Sequence, residues 1–204
     1  GVELGVVDGV TTNPTYIAKE GRPIQEQIRA ICEIIDGDIS AEVVATTWRE
    51  MVEEGRTLAR IHPNVVVKIP LIPEGIKATK ALSGEGIRVN VTLCFTPVQA
   101  LLAAKVGAYI ISPFVGRLDD IALPGMDLVR DIVTLYRTYG YPTQVLAASI
   151  RGPLHVLEAA RAGAHIATMP FKVVEMLFQH PLTDKGLAAF LADYHKAFQE
   201  TPVG

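Results

Sequence analysis

Cysteine is scarce in this chain. Only Cys32 and Cys94 occur among 204 residues, and their separation matches neither a zinc motif nor a redox pair. Both lie in apolar surroundings, as expected for free thiols of a reducing, cytoplasmic compartment. The five histidines (His62, His155, His165, His180, His195) form no i,i+4 pair. No metal site is therefore expected. A block of basic residues is also missing, and the net charge is −3 at pH 7. That balance weighs against nucleic acid or an anionic membrane as partner. No apolar run reaches the roughly 20 residues of a membrane span, and no signal peptide is recognisable. Neither Gly-x-Gly-x-x-Gly after a strand nor a Gly-Lys-Ser/Thr loop occurs, so the common nucleotide-binding loops are missing as well.

What is there is a globular composition, 49% hydrophobic and 20% charged. It is read as one domain over residues 1–204. Short apolar runs alternate with helical patterns. Strands are expected at 10–14, 39–43, 65–70, 88–92, 109–112, 144–148 and 165–168. Helices are expected within 24–35, from Thr46 or Thr47 to about Arg60, at 73–83, 96–106, 126–139, 153–163, 171–178 and 187–198. Residues 113–124 read as a long loop. Gly86, Gly107, Gly140 and Gly163 each end a helix just before a strand. Strict alternation of this kind means a parallel sheet with crossover helices. Seven strands are counted, one short of a (β/α)8 TIM barrel. The barrel is expected, with its first strand missing ahead of Gly1. An open doubly wound sheet is the other architecture considered.

Lys68 stands out within Val65-Val66-Val67-Lys68-Ile69-Pro70. A strand apolar on both faces suits a buried parallel sheet. A buried ammonium loses its hydration, which favours the neutral, nucleophilic amine. A lysine that snorkels, or pairs with a carboxylate, is the competing reading. The strand ends carry further polar residues: Thr12, Asn13, Glu42, Asn90, Thr92, Ser112, Ser149 and Thr168. In an α/β barrel those ends carry the active site. Asn90 and Thr92 are two apart and share a face. Beyond the rim stand Arg117 and Arg151. Arg151 lies beside a helix start, where free amides favour anions. Together with Ser149 the arginines read as a phosphate site, and separately as surface salt bridges. Phe114 either meets substrate or closes the core. Trp48 reads as packing and Lys172 as solvated.

Five segments carry a resemblance: Val10-Thr11-Thr12-Asn13-Pro14, Val66-Val67-Lys68-Ile69-Pro70, Asn90-Val91-Thr92-Leu93, Ile111-Ser112-Pro113-Phe114-Val115-Gly116-Arg117 and Ala147-Ala148-Ser149. In this order they resemble the transaldolase family, in its short subfamily that is similar to fructose-6-phosphate aldolase. The resemblance implies an α/β barrel and class I aldol chemistry, with no metal and no organic cofactor. By position, Lys68 resembles the Schiff-base lysine. Glu42 resembles the carboxylate that works through a water, and Thr92 the hydroxyl that holds it. Asn13, Asn90 and Ser112 resemble the groups that hold the dihydroxyacetone hydroxyls. Arg117, Ser149 and Arg151 resemble the phosphate clamp. Glu42 and Phe114 follow the transaldolase pattern, where the aldolase has glutamine and tyrosine.

The implied activity is transfer of a dihydroxyacetone unit from sedoheptulose 7-phosphate or fructose 6-phosphate to an aldose phosphate, in the pentose phosphate pathway. Release of free dihydroxyacetone and non-catalytic sugar-phosphate binding are the alternatives. A homo-oligomer, pentamer or decamer, is expected. The C-terminal helix, over 183–204, is a candidate subunit contact. One departure stands out. The family's first strand ends Leu-Asp-Thr, with an acid/base aspartate, and nothing before Gly9 matches it.

Overall fold

A computed structural model describes residues 1–199. The elements run β1 (Gly9–Thr11), α1 (Pro14–Glu20), α2 (Ile24–Ile34), β2 (Asp38–Glu42), α3 (Trp48–Ala59), β3 (Val65–Pro70), α4 (Pro73–Gly84), β4 (Val89–Cys94), α5 (Pro97–Lys105), β5 (Ile110–Pro113), α6 (Val115–Asp119), α7 (Gly125–Tyr139), β6 (Gln144–Ala147), α8 (Pro153–Ala162), β7 (Ile166–Ala167), α9 (Phe171–Leu177) and α10 (Pro181–Gln199). The chain divides into two compact units, Gly1–Met169 and a second that begins at Pro170. The second contains α9 and α10.

The first unit holds a seven-stranded sheet in the order β1-β2-β3-β4-β5-β6-β7, and every pairing is parallel. A doubly wound sheet reverses its strand order at a switch point. This sheet never does, so that alternative falls for the described residues. The sheet curls. The hydroxyls of Thr11, on one edge strand, and Thr168, just after the other, lie 2.7 Å apart.

Two close approaches show which face of β3 meets the helices. A Cβ on Gly55 of α3 would sit 3.1 Å from Val67, and one on Gly75 of α4 would sit 3.0 Å from Ile69. Val67 and Ile69 therefore face the helix layer. Alternation then sends Lys68 to the concave face. The helices follow their local signals. Thr96 and Gln99 form a reciprocal capping box ahead of α5, with Pro97 at its first position. The buried side of α7 carries Met126, Val129, Ile132, Val133 and Tyr136 at helical spacing. Gly140 then closes α7 with φ near +65°, a conformation that favours glycine.

Three expectations are corrected. Residues 113–124 are not a plain loop, because Val115–Asp119 form α6. Two backbone bonds, Val115 N–H to Ala148 O and Gly116 N–H to Ser149 O, tie its start to the end of β6. Residues 14–20, assigned no helix from the sequence, form α1, with Asn13 as its cap and Pro14 at its first position. The final helix starts at Pro181, six residues before 187, the start read from the sequence. Of the expected 183–204 segment, residues 200–204 lie outside the described part.

Candidate active site

Parallel register sets the site. Glu42 lies opposite Lys68, and Lys68 opposite Asn90. In-register partners on neighbouring parallel strands point to the same face. Three polar residues from β2, β3 and β4 are thereby lined up across the concave side. Ser40 precedes Glu42 by two, and Thr92 follows Asn90 by two, so both share that face. Ser112 joins from β5.

The side chains connect. Lys68 Nζ is 2.9 Å from Glu42 Oε2. It also donates to the Thr12 carbonyl at 2.9 Å, reaching across β2 to do so. Ser112 Oγ donates to Asn90 Oδ1 at 2.7 Å, and Asn90 Nδ2 donates to Ser40 Oγ at 3.0 Å. Thr12 Oγ1 donates to the Ser40 carbonyl at 2.8 Å. Burial is deep: Lys68 keeps 7% of its surface, Ser112 2% and Asn90 none. The lysine reading that pairs it with a carboxylate is thus present in this arrangement. The ammonium has lost water but gained a counter-charge and a carbonyl. The same carboxylate is the nearest group that can take its proton.

Thr92 Oγ1 is buried with no hydrogen-bond partner among the described residues. An unsatisfied buried hydroxyl costs about 1–3 kcal/mol, so its place suits a water or a substrate hydroxyl. The strand bulges between Val91 and Cys94, and Leu93 takes φ near +61°. A branched residue in that region is strained, and strain of this kind gathers at working sites. Here it lies next to Thr92.

A second group stands beyond the ends of β5 and β6. Ser149 also has a positive φ, near +58°. Arg151 Nη2 donates to Asp120 Oδ2 at 2.7 Å, and over half of its side chain is exposed. The Arg117 guanidinium lies 4.9 Å from the centre of the Phe114 ring. Phe114 packs on the cluster of Ile110, Leu146 and Ala148 and tilts against Phe95 at 5.6 Å. The core-closing reading of Phe114 therefore holds geometrically. Gly116 is where α6 comes closest to the 149–151 segment. A Cβ there would fall 2.3 Å from the Ser149 carbonyl and 2.4 Å from Arg151 Nε. Only a residue without one lets α6 lie against Ser149 and Arg151.

The structure thus gathers Glu42, Lys68, Asn90 and Ser112 into one bonded wall, and Phe114, Arg117, Ser149 and Arg151 into an outer arm. Asn13 joins neither through its side chain, whose Oδ1 accepts the Tyr16 N–H at 2.9 Å as the α1 cap. Sequence reasoning overlooked Ser40, whose period-2 spacing from Glu42 was the available signal. It also overlooked Asp120, for which no local signal exists, since its partner is 31 residues away.

Comparison with known proteins agrees with the geometry. A family model described as Transaldolase/Fructose-6-phosphate aldolase matches residues 2–201. A protein named probable transaldolase from Desulfatibacillum aliphaticivorans is 62% identical over 194 residues, covering 95% of this chain and 91% of that one. Another of the same name, from Clostridium perfringens (strain ATCC 13124), is 56% identical over 198 residues, covering 97% and 92%. Among solved structures, inosine 5′-monophosphate dehydrogenase from Legionella pneumophila aligns with TM-score 0.57 at 13% identity, over 82% of this chain and 58% of that one. At that identity the likeness is one of fold alone. The wall of polar strand ends, the family match and the curated relatives converge: this chain is an enzyme of the transaldolase/fructose-6-phosphate aldolase family.

Proposed function

We propose that the enzyme is a transaldolase working through a Schiff base on Lys68. The observation that carries this reading is the buried contact of 2.9 Å between Lys68 Nζ and Glu42 Oε2 on the concave face. Glu42 accepts the ammonium proton, and the amine adds to the ketone carbon of fructose 6-phosphate or sedoheptulose 7-phosphate. The resulting hydroxyl leaves as water after protonation, with Glu42 and a water on Thr92 carrying the proton. The iminium draws the electrons of the C3–C4 bond as it breaks, and the C4 hydroxyl passes its proton through water to the Glu42 carboxylate as the aldose phosphate departs. The bound enamine then attacks the aldehyde of a second aldose phosphate, and hydrolysis frees the lysine. Burial of the wall keeps the enamine from premature protonation. Asn90 and Ser112 hold hydroxyls of the three-carbon unit. Arg117, Ser149 and Arg151 take the phosphate, with Phe114 between arm and wall.

Borohydride reduction with fructose 6-phosphate, followed by peptide mass mapping, tests this. The expected adduct sits on Lys68. An adduct on another lysine, or none, overturns the mechanism and leaves non-catalytic sugar-phosphate binding. Transfer rather than release of dihydroxyacetone is favoured by Glu42 and Phe114, which follow the transaldolase pattern. Product analysis with and without an aldose phosphate acceptor separates the two.

A closed (β/α)8 barrel, a cytoplasmic setting and a homo-oligomer belong to the same proposal. Cys32 and Cys94 are buried free thiols, in keeping with a reducing compartment. Along α10, Leu187, Phe190, Leu191, Tyr194 and Phe198 are all exposed. Their spacing makes one stripe, which fits a contact with another copy. A monomer in solution scattering would contradict it.

A further inference from the structure

His155 lies two residues inside α8, outside the wall and outside the three residues assigned to phosphate. Its imidazole makes two directed contacts. Nδ1 accepts the backbone N–H of Arg151 at 3.2 Å. Nε2 lies 3.0 Å from Asp119 Oδ2. A neutral imidazole has one donor and one acceptor nitrogen. Accepting at Nδ1 places the hydrogen on Nε2, where Asp119 receives it. Asp119 is itself held, because its Oδ1 accepts the Gly125 N–H at the start of α7 at 2.9 Å. The neighbouring Asp120 takes the Arg151 guanidinium at 2.7 Å. Two consecutive carboxylates therefore fix one arginine at both ends: Asp120 at its head, and Asp119, through the imidazole, at its backbone.

We propose that His155 is the positioning residue of Arg151, and that it tunes affinity for the phosphate of the sugar substrate without taking part in the bond-breaking steps. The inference rests on the proposed phosphate role of Arg151. A long exposed arginine loses side-chain freedom when it binds an anion, so fixing its backbone beforehand lowers that cost. Ser149, two residues before, is held in a positive-φ conformation, so the arm must keep one backbone path for its groups to converge. A helix-end hydrogen bond of purely local value is the competing account. The two differ in what they predict for substrates with and without phosphate.

The test compares His155→Phe, His155→Asn and Arg151→Gln in the full chain, with fructose 6-phosphate and unphosphorylated fructose as donors and inorganic phosphate as competitor. His155→Phe removes both contacts. It is expected to raise KM for fructose 6-phosphate and Ki for phosphate about tenfold, with kcat within about twofold and fructose turnover unaltered. Asn places a carbonyl oxygen near the position of Nδ1. His155→Asn is therefore expected to recover most of the affinity, and it serves as the folded variant if phenylalanine is not tolerated. Equal losses on both donors in His155→Asn and His155→Phe, or no change in KM with either, overturn the inference. Arg151→Gln is the reference. Should it leave KM for fructose 6-phosphate unchanged, the phosphate reading itself fails and takes this proposal with it. Should it raise KM while the His155 variants do not, only the present inference falls.

Discussion

The wall and the arm of this enzyme are built by opposite means. In the wall, charge is taken out of water, and Glu42, Lys68, Asn90 and Ser112 each have a partner set by strand register. In the arm, charge is exposed and held by loops that pack on one glycine. Buried pairs are screened little and are costly to break, whereas exposed pairs contribute roughly 0–1 kcal/mol each. The difference teaches where each kind of work belongs. Bond making needs a group fixed out of water. In the proposed function, recognition of a phosphate that arrives hydrated and leaves again falls to the region whose charge is within reach of solvent.

The sharpest way to break the comparison is Lys68→Met. Turnover is expected to fall by about a thousandfold or more, because no other group supplies the amine. The same change leaves Glu42, whose side chain is 13% exposed, without its partner, at a cost of up to about 3–5 kcal/mol. Adding Glu42→Gln removes the stranded charge, so the double variant is expected to unfold at higher denaturant than Lys68→Met alone. A double variant no more stable than the single would mean that the 2.9 Å contact carries no buried charge energy.

Gly116→Ala probes the arm in the same spirit. The new Cβ meets backbone at 2.3 Å and the Arg151 side chain at 2.4 Å. The arm must shift, and KM for fructose 6-phosphate is expected to rise about tenfold. The yield of borohydride adduct from dihydroxyacetone, which has no phosphate, should stay near that of the parent. A loss of that adduct as well would show that arm and wall are one mechanical unit.

A smaller effect is expected inside the wall. Ser112→Ala removes the donor to Asn90 Oδ1. Chemical denaturation should show a loss of about 1–2 kcal/mol, since a buried acceptor is left unpaired. No loss would mean that Asn90 finds another partner.

The wall was the more legible region, and physics says why. Its residues follow from alternation along single strands and from helix-to-strand punctuation, both of which are local. Lys68 could be singled out because a charge amid Val65, Val66, Val67 and Ile69 contradicts its surroundings. The seven strands were legible for the same reason, with boundaries displaced by up to three residues, the largest at the end of β1. The arm was not legible in this way. α6 looks like a loop because five residues carry too little periodicity to register, and its place is set by bonds to Ala148 and Ser149, more than thirty residues on. The pairing of Asp120 with Arg151 and of Asp119 with His155 is equally non-local. Asn13 differs in its element: the sequence puts it inside a strand over 10–14, whereas β1 ends at Thr11 and Asn13, ahead of Pro14, caps α1 through its Oδ1.

The gentlest test separates the two regions by pH. Cys94 closes β4, the strand of Asn90 and Thr92, and it is fully buried. Burial pushes its thiol up to about 12, from an ordinary value near 9. In the unfolded chain the thiol ionises first as pH rises, so the unfolded state is favoured. The stabilising contribution is complete below pH 9 and is lost progressively as pH rises from about 9 toward 12. Between pH 9 and 10 the fold should lose about 1 kcal/mol through this group. Cys94→Ala is expected to flatten that part of the curve while costing some stability at neutral pH through the volume it removes. The arm's arginines stay charged throughout this range, so Arg151→Gln should leave the slope as it was. A slope that follows Arg151 and ignores Cys94 would place the pH-sensitive charge in the arm, and would reverse the contrast between a buried wall and a solvated rim.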